Sequence, residues 1–231
     1  MKANKPENIL TVNEIFFSIQ GESSWMGFPC VFVRLTYCDL RCVWCDTEYA
    51  FYEGVDMTID EIIEQVRSYN CNLVEITGGE PLFQENTLKL IEKLCDENFT
   101  VLLETGGHRD ISKVDPRAHI IMDIKCPGSK MSHRNRWENI EYLSKKDEVK
   151  FVIKDRADYE WAKENFVYSK YVFGLVCFHF LQLFTLDKLR SIFQFPIFQL
   201  SQFQHFYIEP VLISAHHRKI LQGFQRSVEF H

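Results

Sequence analysis

Short apolar runs alternate with amphipathic segments along the first 170 residues of the chain. Runs rich in β-branched and aromatic residues predict strands, and apolar residues spaced three or four apart predict helices. Strands are predicted at residues 9–19, 30–37, 73–77, 99–104, 119–125, 148–153 and 171–178. Helices are predicted after a capping box formed by Thr58 and Glu61, at 86–97 and at 157–166, and the polar stretch 129–147 also favours helix. This alternation predicts an α/β fold with a parallel sheet and right-handed crossovers.

Unusual residues follow four of these predicted strands directly. A cysteine-rich loop follows the strand at 30–37, and the other three strand ends carry Gly78-Gly79-Glu80-Pro81, Glu104-Thr105-Gly106-Gly107 and Lys125-Cys126-Pro127-Gly128. Because function collects at the carboxyl ends of parallel strands, we expect these segments to form one site.

Length and charge limit the classes of protein that the chain can belong to. Its 231 residues suffice for one substantial core, and they predict a single domain over residues 1–231 with an atypical segment at 172–231. The net charge of −6 gives no support for a nucleic-acid-binding or anionic-membrane surface. The N-terminal segment lacks the apolar core of a secretion signal, and no apolar run reaches membrane-spanning length, so we expect a cytoplasmic protein.

Cys38, Cys42 and Cys45 are spaced C-x3-C-x2-C within eight residues. Structural zinc usually takes four ligands, and no second pair stands at matching spacing. A redox pair of Cys42 and Cys45 would leave Cys38 unexplained. A 4Fe–4S cluster held by three thiolates explains the count better and leaves one iron open to a ligand, although zinc and redox roles remain open alternatives. The remaining cysteines are interpreted as small buried hydrophobes: Cys30, Cys71, Cys95, Cys126 and Cys177.

The cysteine loop resembles that of radical S-adenosylmethionine (SAM) enzymes, and the GGEP sequence at residues 78–81 extends the resemblance. The resemblance implies a 4Fe–4S cluster on the three cysteines and SAM bound to the open iron. One electron from the cluster then cleaves SAM to a 5′-deoxyadenosyl radical, which removes a hydrogen from the substrate. The residues it assigns to the SAM site are Trp44, Cys45, Asp46, Gly79, Glu80, Glu104, Asp123, Ile124 and Lys125.

Longer matches over residues 12–170 resemble the 7-carboxy-7-deazaguanine synthases of queuosine and other deazapurine pathways. The stretches that carry this resemblance are 14–22, 27–29, 31–35, 38–47, 75–81 and 150–153. The family converts 6-carboxy-5,6,7,8-tetrahydropterin to 7-carboxy-7-deazaguanine with loss of ammonia. The resemblance assigns Thr47 to Mg²⁺ and five residues to the substrate: Ile19, Gln20, Gly21, Arg34 and Thr77. Arg34 would face the substrate carboxylate, for which a guanidinium fork is suited.

The same resemblance implies an incomplete TIM-type barrel, a homodimer, and a flavodoxin or ferredoxin as the electron donor.

The sequence leaves two rival interpretations of the function open. A radical SAM activase, which installs a glycyl radical on a partner protein, would share the cluster motif but gives no reason for Gln20, Arg34 and Thr47. A non-catalytic iron–sulfur or zinc module would leave the motifs at the strand ends unexplained.

The final segment departs from the family pattern. Residues 172–231 contain 11 of the 20 Phe and only eight of the 58 charged residues. The family ends in a Gln-Leu-Gln-x-His-Lys-like segment that contacts substrate, and residues 199–205 echo it imperfectly, with His205 as a candidate contact. We hold two hypotheses, a diverged core strand and helix, or out-of-frame translation appended to a genuine enzyme. Comparison of the reading frames downstream of codon 170 tests the second.

Overall fold

The computed structural model of the protein describes residues 7–168, 175–180 and 206–210. The described residues form nine strands: β1 (Ile9–Ile19), β2 (Pro29–Leu35), β3 (Val55–Thr58), β4 (Leu73–Gly78), β5 (Thr100–Thr105), β6 (His119–Asp123), β7 (Glu148–Ile153), β8 (Leu175–Phe180) and β9 (Phe206–Pro210). They also form three α-helices: α1 (Ile59–Ser68), α2 (Thr87–Asp96) and α3 (Arg156–Tyr168). None of the helices within these residues is long and apolar enough to span a membrane.

The strands form one sheet in the order β3-β1-β2-β4-β5-β6-β7-β8-β9. Strand β2 and strands β4 to β9 run parallel, whereas β1 and β3 pair antiparallel at one edge. The first and last strands of this order do not pair, so the sheet is open. The expected fold class, an incomplete barrel of parallel strands with α/β connections, is confirmed. Its N-terminal edge differs from the uniformly parallel sheet that the alternation alone suggested.

Three local predictions need correction. Strand β3 was missed because it has four residues and little burial, and its Val55 is 69% exposed. The predicted helix within 129–147 is wrong, since only short 3-10 turns form there, the longest at Trp137–Tyr142. The Asn139 amide in that turn donates to the Gly107 and Arg109 carbonyls and ties the segment to a neighbouring loop. Strand β8 begins at Leu175, so the predicted positions 171–174 lie outside the described residues.

The start of α1 is the best-determined local feature of the sequence. The Thr58 hydroxyl accepts from the Glu61 backbone N–H at 3.2 Å, and the Glu61 carboxylate accepts from the Thr58 backbone N–H at 2.8 Å. The predicted capping box is therefore confirmed in both directions. Behind it, α1 buries Ile59, Ile62 and Val66 against the sheet.

The two faces of the sheet have different chemistry, because side chains alternate between them along each strand. On β4, Val74 and Ile76 join the large core beneath the helices, while Glu75 and Thr77 belong to the opposite, concave face. A smaller apolar cluster fills the lower part of that concave face: Cys30, Phe32, Leu73, Leu102 and Ile121. Above this cluster, toward the carboxyl ends of the strands, the concave face becomes polar.

Candidate active site

A cavity of about 380 Å³ opens at the carboxyl ends of β2 and β4 to β7. Of the 17 residues assigned to the site from sequence, 15 line it: Gln20, Gly21, Arg34, Cys38, Cys42, Trp44, Cys45, Asp46, Thr47, Thr77, Gly79, Glu80, Glu104, Asp123 and Lys125. Four segments that are distant in sequence therefore meet at one edge of the sheet, as the motifs at the strand ends predict.

The side chains of the other two assigned residues, Ile19 and Ile124, do not line the cavity. Ile19 ends β1 with its side chain 65% exposed. Ile124 is buried in the core beneath the helices, and its backbone N–H donates to the Lys150 carbonyl at 2.8 Å. Neither side chain faces the cavity, so only the backbone of Ile19 or Ile124 could contact a ligand there. Their assignment to the substrate and SAM sites stays a prediction.

The three cysteines of the loop that follows β2 are half-buried thiols, and none of them forms a disulfide. Burial raises the pKa of Cys38 to about 11 and also raises the pKa of Cys42, so this environment favours the protonated form of these two thiols. Among the residues that the structure describes, no three His, Cys, Asp or Glu side chains are grouped closely enough to surround a single metal ion. The Thr47 hydroxyl lies 3.7 Å from the Cys45 sulfur, at the end of the same loop.

A clamp that sequence reasoning missed holds the outside of this loop. The Asp39 carboxylate accepts hydrogen bonds from His108 at 2.7 Å, Arg109 at 2.8 Å and Arg134 at 2.9 Å. Burial alone would raise the pKa of Asp39, but the His108 hydrogen bond and the neighbouring cations outweigh burial and lower the pKa to about 2. Asp39 thus ties the cysteine loop to two other loops as a charged group.

The glycines of the GGEP sequence are required by close packing. Gly78 has φ +142°, and a Cβ at Gly78 or Gly79 would overlap the backbone carbonyl of Leu35 or Tyr37 respectively. The Glu80 carboxylate is fully buried and accepts from the Thr105 hydroxyl and the Gly106 N–H, both at 2.8 Å. The Glu80 side chain therefore fastens the end of β4 to the end of β5, and the backbone of the motif is left to face a ligand.

The floor of the cavity is a connected polar network, which we call the floor network: Gln20, Glu22, Glu75, Thr77, Glu104 and Lys150. The Gln20 amide donates to Glu75, while its oxygen accepts from the backbone N–H groups of Gly21 and Glu22. Lys150 donates to Glu22 at 2.6 Å and also to Glu104, which accepts from the Thr77 hydroxyl at 3.1 Å. The floor is thus organised by the protein itself.

Two carboxyl groups of the floor network have opposite titration behaviour. Burial and the nearby Glu104 charge raise the pKa of Glu75 well above its usual value. Burial would also raise the pKa of Glu104, but the Lys150 ammonium and its hydrogen bond outweigh burial and lower that pKa to about 2. The surroundings therefore favour the protonated form of Glu75 and the charged form of Glu104, two like groups side by side with opposite shifts.

Two cations stand higher on the wall of the cavity. The Arg34 Nε donates to Glu14 at 2.7 Å, and its guanidinium lies near the rings of Phe16 and Tyr49. Lys125 donates to Asp123 at 2.7 Å. The other oxygen of Asp123 is buried without a hydrogen-bond partner, as expected of a wall built to meet a polar ligand.

Comparison with known proteins identifies the family. The radical SAM superfamily model matches residues 33–124, which include the cysteine loop and the ends of β4 to β6. A 7-carboxy-7-deazaguanine synthase of Koribacter versatilis is 50% identical over 157 residues, which cover 67% of this chain and 70% of that protein. The chain belongs to the 7-carboxy-7-deazaguanine synthase family. The enzyme of the same name from Chlorobaculum tepidum is 48% identical over 157 residues, covering 67% of this chain and 71% of its own length.

A solved structure supports the fold independently of these sequence matches. QueE from Escherichia coli superposes with a TM-score of 0.69 over 86% of this chain and 92% of its own, at 18% sequence identity. At that identity the likeness concerns the fold, the open barrel with its cavity at the strand ends. Membership of the radical SAM superfamily implies a 4Fe–4S cluster and SAM as cofactors, and the residues present fit both groups. Three thiols of soft donor character face the cavity, and the unpartnered Asp123 oxygen lies beside them.

Two residues of the cavity and one beside it are functional candidates that received no site role from the sequence, although Glu75 and Lys150 stand in stretches that carry the family resemblance. Glu75 and Lys150 lie in the middle of apolar strands, where an isolated charge gives no periodic signal. The side chain of His108 is 1% exposed. Its position directly after the Glu-Thr-Gly-Gly motif is the only feature of the sequence that could have indicated a role near the site. Their hydrogen-bond partners come from other strands and loops, which only the folded sheet brings together.

Proposed function

We propose that the chain converts 6-carboxy-5,6,7,8-tetrahydropterin to 7-carboxy-7-deazaguanine with loss of ammonia, as a radical SAM lyase of queuosine and deazapurine biosynthesis. The observation that carries this proposal is a single cavity with two unlike ends. One end presents three thiols, and the other presents the floor network with Arg34 above it. A cofactor and a polar heterocycle can therefore be held side by side in one cavity.

Cys38, Cys42 and Cys45 would hold the 4Fe–4S cluster, and Trp44, Asp46 and the Gly79–Glu80 backbone would contact SAM. Asp123 and Lys125 complete that wall, with the free Asp123 oxygen able to accept from an ammonium or a hydroxyl. When bound, the cluster and SAM supply a radical that removes hydrogen from a carbon atom. The protein's part is to position the two ligands and to keep water out.

The floor network suits the substrate by its donors and acceptors. A pterin carries an aminopyrimidinone edge with N–H donors, and the Glu22 and Glu104 oxygens accept such donors. Arg34 can direct its guanidinium toward the substrate carboxylate, since Glu14 occupies its Nε. Thr77 stands at the end of β4 between Arg34 and Glu104 in the sheet register. These contacts would hold C6 of the pterin toward the cofactor end of the cavity.

Thr47 would bind Mg²⁺ together with oxygens of the substrate and water. A hydroxyl suits this hard ion, which often takes few protein ligands, whereas the adjacent thiols do not suit it. Replacement of Thr47 by Ala should raise the Mg²⁺ concentration needed for half-maximal activity, while Thr47→Ser should restore it. A Mg²⁺ response unchanged in Thr47→Ala would remove Thr47 from the metal site.

An anaerobic assay tests the proposed reaction. The protein would be reconstituted with iron and sulfide and mixed with dithionite, SAM, Mg²⁺ and the carboxy-tetrahydropterin, and mass spectrometry would follow both products. We expect 5′-deoxyadenosine together with 7-carboxy-7-deazaguanine. Deoxyadenosine without the deazaguanine would reject the substrate, and the absence of both from a chain with a full cluster would reject radical SAM catalysis.

The activase alternative is not favoured. Its substrate is a large protein, which would need a docking groove leading to the cofactor, whereas the polar groups here converge on the floor of a small cavity. A non-catalytic module would have no use for the floor network. We further expect the family's homodimer and a flavodoxin or ferredoxin as electron donor, with sedimentation as the test of the dimer.

A further inference from the structure

The loop between β1 and β2 crosses the concave face of the sheet and reaches strands on its far side. We call residues 20–28 the hairpin loop. Its two ends are joined by backbone hydrogen bonds from the Gln20 N–H to the Phe28 carbonyl and from the Gly27 N–H to the Gln20 carbonyl, both at 2.8 Å. Gly27 has φ +91°, a left-handed conformation that glycine adopts without strain. The hairpin loop is therefore closed on itself, so a contact at its tip also holds its base.

Strand β7 holds the hairpin loop at two positions. At the cavity, Lys150 donates to Glu22 at 2.6 Å within the floor network. Two residues earlier on the same face of β7, the Glu148 carboxyl group accepts from the Ser24 backbone N–H at 3.1 Å and also from the Ser24 hydroxyl. The spacing of Glu22 and Ser24 on the loop thus matches the spacing of their partners on the strand. Two such contacts fix the orientation of the hairpin loop as well as its position.

An aromatic contact lies beside the lower of these two attachments. The Trp25 ring packs edge-on against His119 at the start of β6, with the ring centroids 5.1 Å apart. Trp25 also packs against the apolar cluster in the lower part of the concave face. Because it covers apolar surface that would otherwise meet water, this contact favours the same position of the hairpin loop as the Glu148 contact does.

The lower attachment lies outside the cavity. Among the residues that the structure describes, the cavity lining includes Gln20, Gly21 and Glu22 but neither Ser24 nor Glu148. Glu148 is 3% exposed, so the loss of a donor to its carboxyl group is poorly replaced by water. Ser24 and Glu148 therefore have no contact with a ligand in the cavity, yet they hold the segment that lines it.

We infer that Ser24 and Glu148 are positioning residues that set the affinity for the pterin by holding residues 20–22 at the floor of the cavity. This inference rests on the proposed function, which places the pterin there. The Gln20 oxygen accepts from the N–H groups of Gly21 and Glu22, so these residues move together with the hairpin loop. A loop released at Ser24 would populate more positions, and the apparent affinity would fall with the fraction that still fits the substrate.

The test removes the contact and then restores it. Ser24→Ala deletes the hydroxyl that donates to Glu148, whereas Ser24→Thr keeps a hydroxyl at the same exposed position. Ser68→Ala is the matched control, because it removes an exposed hydroxyl that donates only within α1, to the Gln65 carbonyl at 2.6 Å. Steady-state kinetics of the reconstituted enzyme would give kcat and the KM values for the carboxy-tetrahydropterin and for SAM, together with the iron content.

We expect Ser24→Ala to raise the KM for the pterin about two- to tenfold, the factor that one lost hydrogen bond produces, with kcat, the KM for SAM and the iron content close to wild type. Ser24→Thr should restore the KM. Glu148→Gln should also raise it, and Ser24→Ala/Glu148→Gln should add little to the larger single effect, as expected for two ends of one contact. An unchanged KM for the pterin in Ser24→Ala, no recovery in Ser24→Thr, or an equal rise in the KM for SAM would overturn the inference.

Amide hydrogen exchange separates this inference from the proposed reaction, because it needs no substrate. Peptides that cover residues 20–28 should exchange faster in Ser24→Ala than in wild type or Ser68→Ala, with the other peptides unchanged. Equal exchange of these peptides in the three proteins would show that Ser24 does not hold the hairpin loop and would overturn the inference. A wild type that forms no 7-carboxy-7-deazaguanine would count against the proposed reaction, and the exchange comparison would still decide whether the contact holds the loop.

Discussion

The two ends of the cavity are held in opposite ways. The cysteine loop is fixed from outside by the Asp39 clamp, while its three thiols line the cavity, where burial raises the pKa of Cys38 and Cys42. The floor network is fixed from inside, by hydrogen bonds among the groups that face the ligand. The cysteine loop is therefore positioned by contacts outside the cavity, whereas the floor network is positioned by the same groups that would contact the substrate. Metal binding to such a loop is coupled to release of the thiol protons.

The largest expected effect is at the cofactor end. Cys42→Ser should lose the cluster and abolish deoxyadenosine formation, because hydroxyl oxygen is a poor donor for iron–sulfur clusters compared with thiolate. Iron analysis and visible absorbance after reconstitution provide the measurement. Cys71→Ser is the control, since Cys71 lies outside the cavity and should keep a full complement of iron. Retention of the cluster in Cys42→Ser would refute the ligand assignment.

The cysteine loop was also the part that sequence predicted best. Its three candidate ligands fall within eight residues of the chain, so their spacing favours a shared cluster over the zinc and redox alternatives, and the glycines of GGEP mark a close approach of backbones. Most strand positions followed from apolar runs, as in β4, β5 and β7. By contrast, the floor network joins residues from four separate segments, and a lone Glu75 or Lys150 within a strand carries no local signal of its role. Such long-range pairing becomes visible only through the sheet register.

At the floor, Lys150→Met should cause the greatest loss of stability. It would leave Glu22 and Glu104 close together without the cation that both contact. Removal of one partner from a buried ion pair typically costs about 3–5 kcal/mol. Urea unfolding would measure the change, and Lys89→Met, which removes the contact of Lys89 with the exposed Glu7, should cost much less. Similar losses in the two variants would show that the floor network does not stabilise the fold.

Asp39→Asn should weaken the clamp while leaving the floor untouched. The substitution keeps the shape of the side chain but removes the charge that attracts Arg109 and Arg134, and a hydrogen bond to a charged group contributes about 1.5–3 kcal/mol. We expect a smaller stability loss than for Lys150→Met, together with faster loss of cluster iron to a chelator. Substrate binding to the floor should be unchanged. If iron loss matched wild type, the clamp would not be what shapes the loop.

The smallest expected effect is a change in how the stability of the protein depends on pH, which arises from Glu75 and Glu104 in the floor network. The pKa of Glu75 is raised in the folded state, so the folded protein holds a proton that the unfolded chain releases above its ordinary pKa near 4.5. Stability should therefore fall as pH rises above that value, by at most about 1.4 kcal/mol per pH unit for one proton. Glu104 acts oppositely, because its pKa is lowered to about 2 and its contribution to stability is lost as pH falls below 4.5.

The variant Glu75→Gln tests this expectation, because glutamine keeps the shape of the side chain and can accept a hydrogen bond from Gln20, but it cannot titrate. Urea unfolding between pH 5 and pH 8 should show a shallower decline for Glu75→Gln than for wild type, whereas identical slopes would mean that Glu75 already carries its charge in the folded floor.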